Sequence, residues 1–309
     1  MRDLENDILA TLTYFDNFRY PLTQKEIYSF LPERCTREVV SASLERMVCH
    51  NMIYKMQDYY SLRNDFDYVA RRKKGYEQAL KLISRGEKIA SVISHFPFVR
   101  GIAISGSLSK YFADEDADID FFIITSTNRV WIARSFTHLL KKLSFLFRKQ
   151  HLLCMNYYID ESQPEIIEKN IFTATEVVTL IPVKGISAFN NFFEANRWTA
   201  QYLPNFFMPL IRNAETNTNI VKRLLELILN GKAGNALDTW LMHMTNNRWQ
   251  RKKMSKKMNE HGNVMSMAVH KHYSKPDPSV FQRQLLETYE KKLSEILKTN
   301  EQVSLSAVK

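Results

Sequence analysis

The residues best equipped for chemistry lie between Gly106 and Asp120, in the run GSLSKYFADEDADID, with the apolar segment FFIIT directly behind. Alternation predicts an extended chain over Ala117–Thr125, in which Asp118 and Asp120, two apart, project from the same face. Two carboxylates held side by side repel, and burying them uncompensated is costly, so the pair points to a bound divalent cation. Ahead of it, Val99-Arg-Gly-Ile-Ala-Ile-Ser reads as a strand that ends in the Gly106-Ser107 turn. The amides and hydroxyl of such a turn suit a phosphate beside that cation.

Gly-Ser, a loop, then Asp-hydrophobic-Asp between two strands resembles the signature of the polymerase-beta-type nucleotidyltransferase superfamily, in the spacing of its minimal members. The likeness spans roughly residues 95–185 of the 309. It implies an α+β fold with a small mixed sheet. It also implies Mg²⁺ (or Mn²⁺) on Asp118 and Asp120 as catalytic ligands, and an NTP whose β- and γ-phosphates sit on Gly106 and Ser107. Lys110 and Arg134 are candidate phosphate contacts. The family takes a third carboxylate from a later strand. Here Asn156 stands in that place, and Asp160 and Glu176 are the other candidates. A second departure is Tyr111, where many members carry a glycine; tyrosine rarely takes the positive φ that glycine tolerates, so the loop is expected to change shape.

The flanking elements must position these groups. Apolar spacing predicts a helix over 3–16, Thr23-Gln-Lys-Glu26 a capping box, and Thr36 the cap of a helix to about His50. A hairpin about Gln57-Asp58 follows. Three helices and a hairpin resemble a winged helix-turn-helix domain over 1–65. Residues 66–97 read as a helical connector carrying Arg71-Arg-Lys-Lys74, a run that suits a solvated face or a phosphate contact. The catalytic core is placed at 98–185: the Asp-bearing strand, a helix over Arg129–Arg148 and a strand over Leu152–Ile159. On that strand, alternation puts Cys154, Asn156, Tyr158 and Asp160 on one face. From 186 to 309 the chain reads as a helical domain, with 299–309 frayed.

Net charge is +10 and unevenly spread. Residues 1–65 hold eight Lys/Arg against ten Asp/Glu, which disfavours DNA binding by that part because phosphate contacts demand a basic surface. Residues 221–309 hold sixteen against eight, concentrated in Arg248–Asn259. That cluster reads as a solvated helix face or a polyanion patch with Trp249 for stacking. His261, His270 and His272 lack ligand spacing. Cys35, Cys49 and Cys154 form no disulfide or metal pattern. No apolar run approaches the ~20 residues of a membrane helix, and the acidic start MRDLENDILA is unlike a signal peptide, so a cytoplasmic location is expected.

The leading expectation is transfer of a nucleoside monophosphate to a hydroxyl acceptor on a small molecule, a protein or a nucleic acid end. The alternative is a winged-helix regulator that senses a nucleotide without turnover.

Overall fold

The computed structural model describes residues 4–145, 154–207, 219–255, 258, 266–276 and 279–307. The fold is mixed α+β. Its N-terminal unit contains α1 (Leu4–Asp16), β1 (Leu22–Thr23), α2 (Gln24–Phe30), α3 (Arg37–Cys49), β2 (Tyr54–Met56) and β3 (Tyr59–Ser61). The strands form a small antiparallel sheet in the order β1-β3-β2. The expected capping box is present: the Glu26 amide donates to the Thr23 hydroxyl, and the Thr23 amide donates to the Glu26 carboxylate. Ile8, Leu9, Leu12, Ile27, Val40, Leu44 and Met47 are buried together, the helical spacing that places them on inward faces.

One helix of 28 residues, α4 (Phe66–Ile93), leaves this unit and runs beneath the central sheet. At 1.5 Å per residue it spans about 42 Å. Its buried positions Val69, Arg72, Gly75, Ala79, Leu82, Gly86, Ala90 and Ile93 recur every three or four residues. The same stripe therefore packs first on the N-terminal unit and then on the sheet.

The chain continues through β4 (Val99–Ser105), β5 (Asp120–Thr125), α5 (Val130–Phe145), β6 (Cys154–Asp160), α6 (Ile171–Val178), β7 (Ile181–Lys184) and α7 (Ile186–Ala195). Then come α8 (Ile220–Ile228), α9 (Gly231–Met254), β8 (Met267–Val269), β9 (Tyr273–Pro276) and α10 (Ser279–Ala307). The six-stranded sheet runs β7-β4-β5-β6-β9-β8, with β5 and β6 parallel and the other described neighbours antiparallel. Alternate residues of β5 feed two cores. Phe121 and Ile123 pack with α4 and α5, while Phe122 and Ile124 pack with α6 and α7.

Three sequence expectations change here. The Asp-bearing strand begins at Asp120, not Ala117, so Asp118 precedes it on an exposed approach. The part after 186 is not wholly helical: β8 and β9 extend the central sheet alongside β6. Nor does that part stand apart, since α10 packs on α1, with Tyr289 edge-on to Tyr14 at 5.8 Å and Lys292 bonded to Asp16 at 3.2 Å. Residues 299–307 continue this helix.

Candidate active site

Strand β4 ends at Ser105, opposite Asp120 in the register, and the chain turns at Gly106 with φ +70°. A Cβ at Gly106 would lie 2.5 Å from Asp120 Oδ2. Only glycine lets the turn pass this close to the carboxylate. A short 3₁₀ turn, Leu108–Lys110, follows and ends at Tyr111 with φ 54°. The left-handed conformation associated with glycine is thus kept at a tyrosine, against the expectation that the loop would change shape. Arg72 Nη1 holds it by donating to the Tyr111 carbonyl at 2.9 Å.

The loop is braced by the N-terminal unit. Phe112 lies in that unit's core, edge-on to Tyr20 at 5.8 Å. The Tyr20 hydroxyl donates to the Lys110 carbonyl, and Arg72 pairs with Glu26 at 2.9 Å while stacking 4.1 Å above the Tyr20 ring. Arg71 pairs with Asp114 and Lys74 with Glu115. The basic run at 71–74 therefore fastens the acidic loop to α4; of its members, Arg71 also reaches the cleft described next.

Asp120 is half-buried, and burial pushes its carboxyl up to about 7, with Asp118 and Glu176 adding like charge; the Cys154 thiol and Lys110 act the other way. Cys154 faces Asp120 in the β5–β6 register, and burial beside that carboxylate pushes its thiol up to about 12. A thiol held in its protonated form donates a hydrogen bond and does not act as an anionic ligand.

The three candidates for a third acid separate clearly. Glu176, on α6, borders the same cleft as Asp120 and accepts from Lys110 Nζ at 2.7 Å. Asp160 pairs with Thr125, five residues along β5 from Asp120, roughly 17 Å at strand rise. There it is fully buried and bonded to Asn128, Ser162 and His272. The register skips one residue between Met155 and Tyr157, so Asn156 is a bulge; its side chain lies outside the described residues. The skip also breaks the expected single face over Cys154–Asp160, because one inserted residue reverses every later side chain. Among the described residues, no group of three or more His, Cys, Asp or Glu is drawn together as a metal cluster.

Two connected cavities meet at this point. The larger, about 760 Å³, is bordered by Gly106, Ser107, Lys110, Asp120 and Glu176, by Arg19 and Arg71, and by the aromatic rings of Phe15, Phe18, Phe172 and Phe281. The smaller, about 210 Å³, shares Gly106, Asp120, Phe172 and Glu176 with it and is otherwise mostly apolar. Arg134 belongs to neither. It is buried over the Tyr158 ring at 5.1 Å and contacts Met267, so the expected phosphate contact does not form there.

The N-terminal unit contributes Tyr14, Phe15, Phe18, Arg19 and Tyr20 to the larger cavity, a part that no motif in the sequence signals. Phe172 and Glu176, four apart, share a helix face, and that signal was legible. His272 is a partner of Asp160, and His270 stacks on Tyr273 at 4.7 Å; His261 lies outside the described residues. Residues 248–254 of the 248–259 cluster belong to α9, with Lys252 over the Trp249 ring at 4.3 Å. Cys35, Cys49 and Cys154 are free thiols. No described helix is long and apolar enough to cross a membrane. Comparison of the chain with models of protein families, with curated proteins and with solved structures finds no match.

Proposed function

We propose that the chain is a metal-dependent nucleotidyltransferase of the polymerase-beta type, moving a nucleoside monophosphate from an NTP to a hydroxyl acceptor. The observation that carries this is the state of Asp120. It is a half-buried carboxylate in the company of Asp118 and Glu176, pressed against the Gly106 turn in the wall of a large cleft. A carboxylate group strained in this way gains from a cation, and two carboxylates with phosphate oxygens and water are a sufficient donor set for Mg²⁺. The fit supports Asp118 and Asp120 as the residues that would hold it. Once bound, the ion would supply charge neutralisation for the attacking and leaving oxygens.

The remaining roles fall to the chain's own groups. Gly106 and Ser107 orient the triphosphate. Lys110, within the same cleft, contributes a cation to the phosphates. Arg72, Tyr20 and Phe112 fix the loop so that these groups are placed before the nucleotide arrives, which lowers the cost of ordering them. The aromatic rings of the cleft offer stacking surfaces for a base.

We read the N-terminal unit as winged-helix-like from its element order. It serves here as a wall of the cleft and not as a DNA reader. On α3, Arg46 is paired with Glu5 and Arg37 lies over the Tyr28 ring, with Glu38 and Glu45 exposed beside them. That leaves no basic face of the kind duplex phosphates require. A cytoplasmic setting fits this reading.

The test is incubation of the purified protein with each labelled NTP and Mg²⁺, in parallel with Asp118→Asn and Asp120→Asn. Label transfer that both substitutions remove supports the enzyme. The absence of a three-acid cluster among the described residues favours one rival, a nucleotide sensor without turnover. Tight NTP binding with no transfer to any acceptor would establish that rival.

A further inference from the structure

We propose that the smaller cavity is the acceptor subsite and that it selects a small, largely apolar alcohol. This rests on the nucleotidyl-transfer reading and specifies its second substrate. The division of labour follows from the linings. Ser107, Lys110, Arg19 and Arg71 border only the larger cavity, so the polyanionic triphosphate belongs there. Its volume of about 760 Å³ is of the size that holds a whole nucleotide-sized ligand. The smaller cavity, about 210 Å³, is worth roughly seven water molecules at about 30 Å³ each. It meets the larger one at Gly106, Asp120, Phe172 and Glu176, which is where an attacking oxygen must approach the α-phosphorus.

The walls of the smaller cavity set the chemical class. Phe122 and Tyr157 are stacked at 4.8 Å, and Ile166, Val177 and Leu180 complete an apolar surface. Beyond the shared junction and Tyr157, its polar lining is confined to Ser105, the Thr173 hydroxyl beside the Gln282 amide at 3.5 Å, and the ion pair of Lys275 with Glu168 at 2.6 Å. A sugar carries more hydroxyls than these few groups can partner, and each one left over is buried without a hydrogen bond. A nucleic acid end brings a charged backbone that this mostly apolar lining does not partner. An aryl or short alkyl group with one hydroxyl fits, its hydroxyl turned to the polar junction.

In the step itself, the alcohol oxygen bonds to the α-phosphorus and its proton passes to the Glu176 carboxylate. The α–β bridging P–O bond breaks, and its electron pair departs on pyrophosphate. Lys110, which donates to Glu176 at 2.7 Å, is drawn to the triphosphate and frees that carboxylate.

The experiment has a binding arm and a transfer arm. Saturation-transfer NMR measures 4-methylbenzyl alcohol and sorbitol on the full chain, on Val177→Phe and on Thr173→Leu, both of which narrow the smaller cavity. Circular dichroism and Mg-ATP titration report that each variant is folded. The expected result is binding of the benzyl alcohol but not sorbitol, weakened at least tenfold in either folded variant. Equal binding in the variants, no binding to the wild type, or binding of sorbitol overturns the proposal. In the transfer arm, label from an NTP should appear on the benzyl alcohol. Transfer to sorbitol or to a tyrosine-containing peptide in preference overturns the acceptor class while leaving nucleotidyl transfer standing. Occupation of the cavity without transfer from any NTP removes nucleotidyl transfer and the acceptor role together.

Discussion

Strands β5 and β6 carry a buried or half-buried aspartate at each end, and the two are treated in opposite ways. Asp160 is fully buried, yet its oxygens accept from the Asn128, Ser162 and Gln163 amides, the Ser162 hydroxyl and His272 Nδ1. Asp120, at the other end, sits with Asp118 and Glu176 as like-charged neighbours, and burial lifts its carboxyl to about 7. The first carboxylate has been supplied with donors and ties three segments together. The second is held in a state that favours a proton or a cation. Burial is shared by both acids, and what separates them is their company: donors around Asp160, like charges beside Asp120.

The sharpest way to break this contrast is to neutralise each acid in turn. Asp120→Asn and Asp118→Asn should lower nucleotidyl transfer by at least about a hundredfold, with the folded state retained, as label incorporation and circular dichroism will report. Asp160→Ala should do the reverse, costing about 3–5 kcal/mol in urea unfolding, since it orphans several buried donors.

A smaller effect separates the two by pH. Burial lifts the folded carboxyl of Asp120 to about 7, above its ordinary value of 3.8. Between those values the native state holds a proton that the unfolded chain has released. Stability from this group therefore falls as pH rises from about 4 to about 7 and is level beyond. Asp120→Asn should remove that fall, so its advantage over wild type grows by on the order of 1–3 kcal/mol between pH 4 and pH 8 without Mg²⁺. Equal pH slopes in the two proteins would contradict the contrast. A change of similar size, without the pH dependence, is expected at Gly75→Ala. An added Cβ would lie 2.4 Å from the Phe112 ring, costing about 1–3 kcal/mol and loosening NTP binding through the displaced loop.

Much of the frame was legible because it depends on local rules. The capping box at Thr23–Glu26, the strand into Gly106 and the spacing along α4 each follow from short-range pattern, and the structure has them. What escaped notice depends on long-range packing. The bulge at Asn156 leaves no trace in the alternation of β6, and it moved Asp160 from candidate ligand to structural acid. Strands β8 and β9 are short and gain their identity only by pairing beside β6. In the candidate site, Asp118, Asp120, Gly106, Ser107, Lys110 and Glu176 were all named from sequence. Cys154 was not, because its relation to Asp120 is set by strand register. Arg72 was named only within the basic run at 71–74, and its bracing role was hidden because its neighbours Tyr20 and Glu26 lie some fifty residues earlier.

The placement of Phe112 has a mechanical consequence. A ring from the loop between β4 and β5 is seated among Tyr20, Gly75 and the guanidinium of Arg71, 4.5 Å from the ring centre. The Gly106 turn is thus anchored like a tent line whose peg stands in another unit. Any ligand that shifts α1 or α4 pulls on that line, and by reciprocity a nucleotide that tightens the turn stiffens the N-terminal unit. Hydrogen exchange across Leu4–Asp16 should slow on addition of Mg-ATP, and Phe112→Ala should uncouple the two.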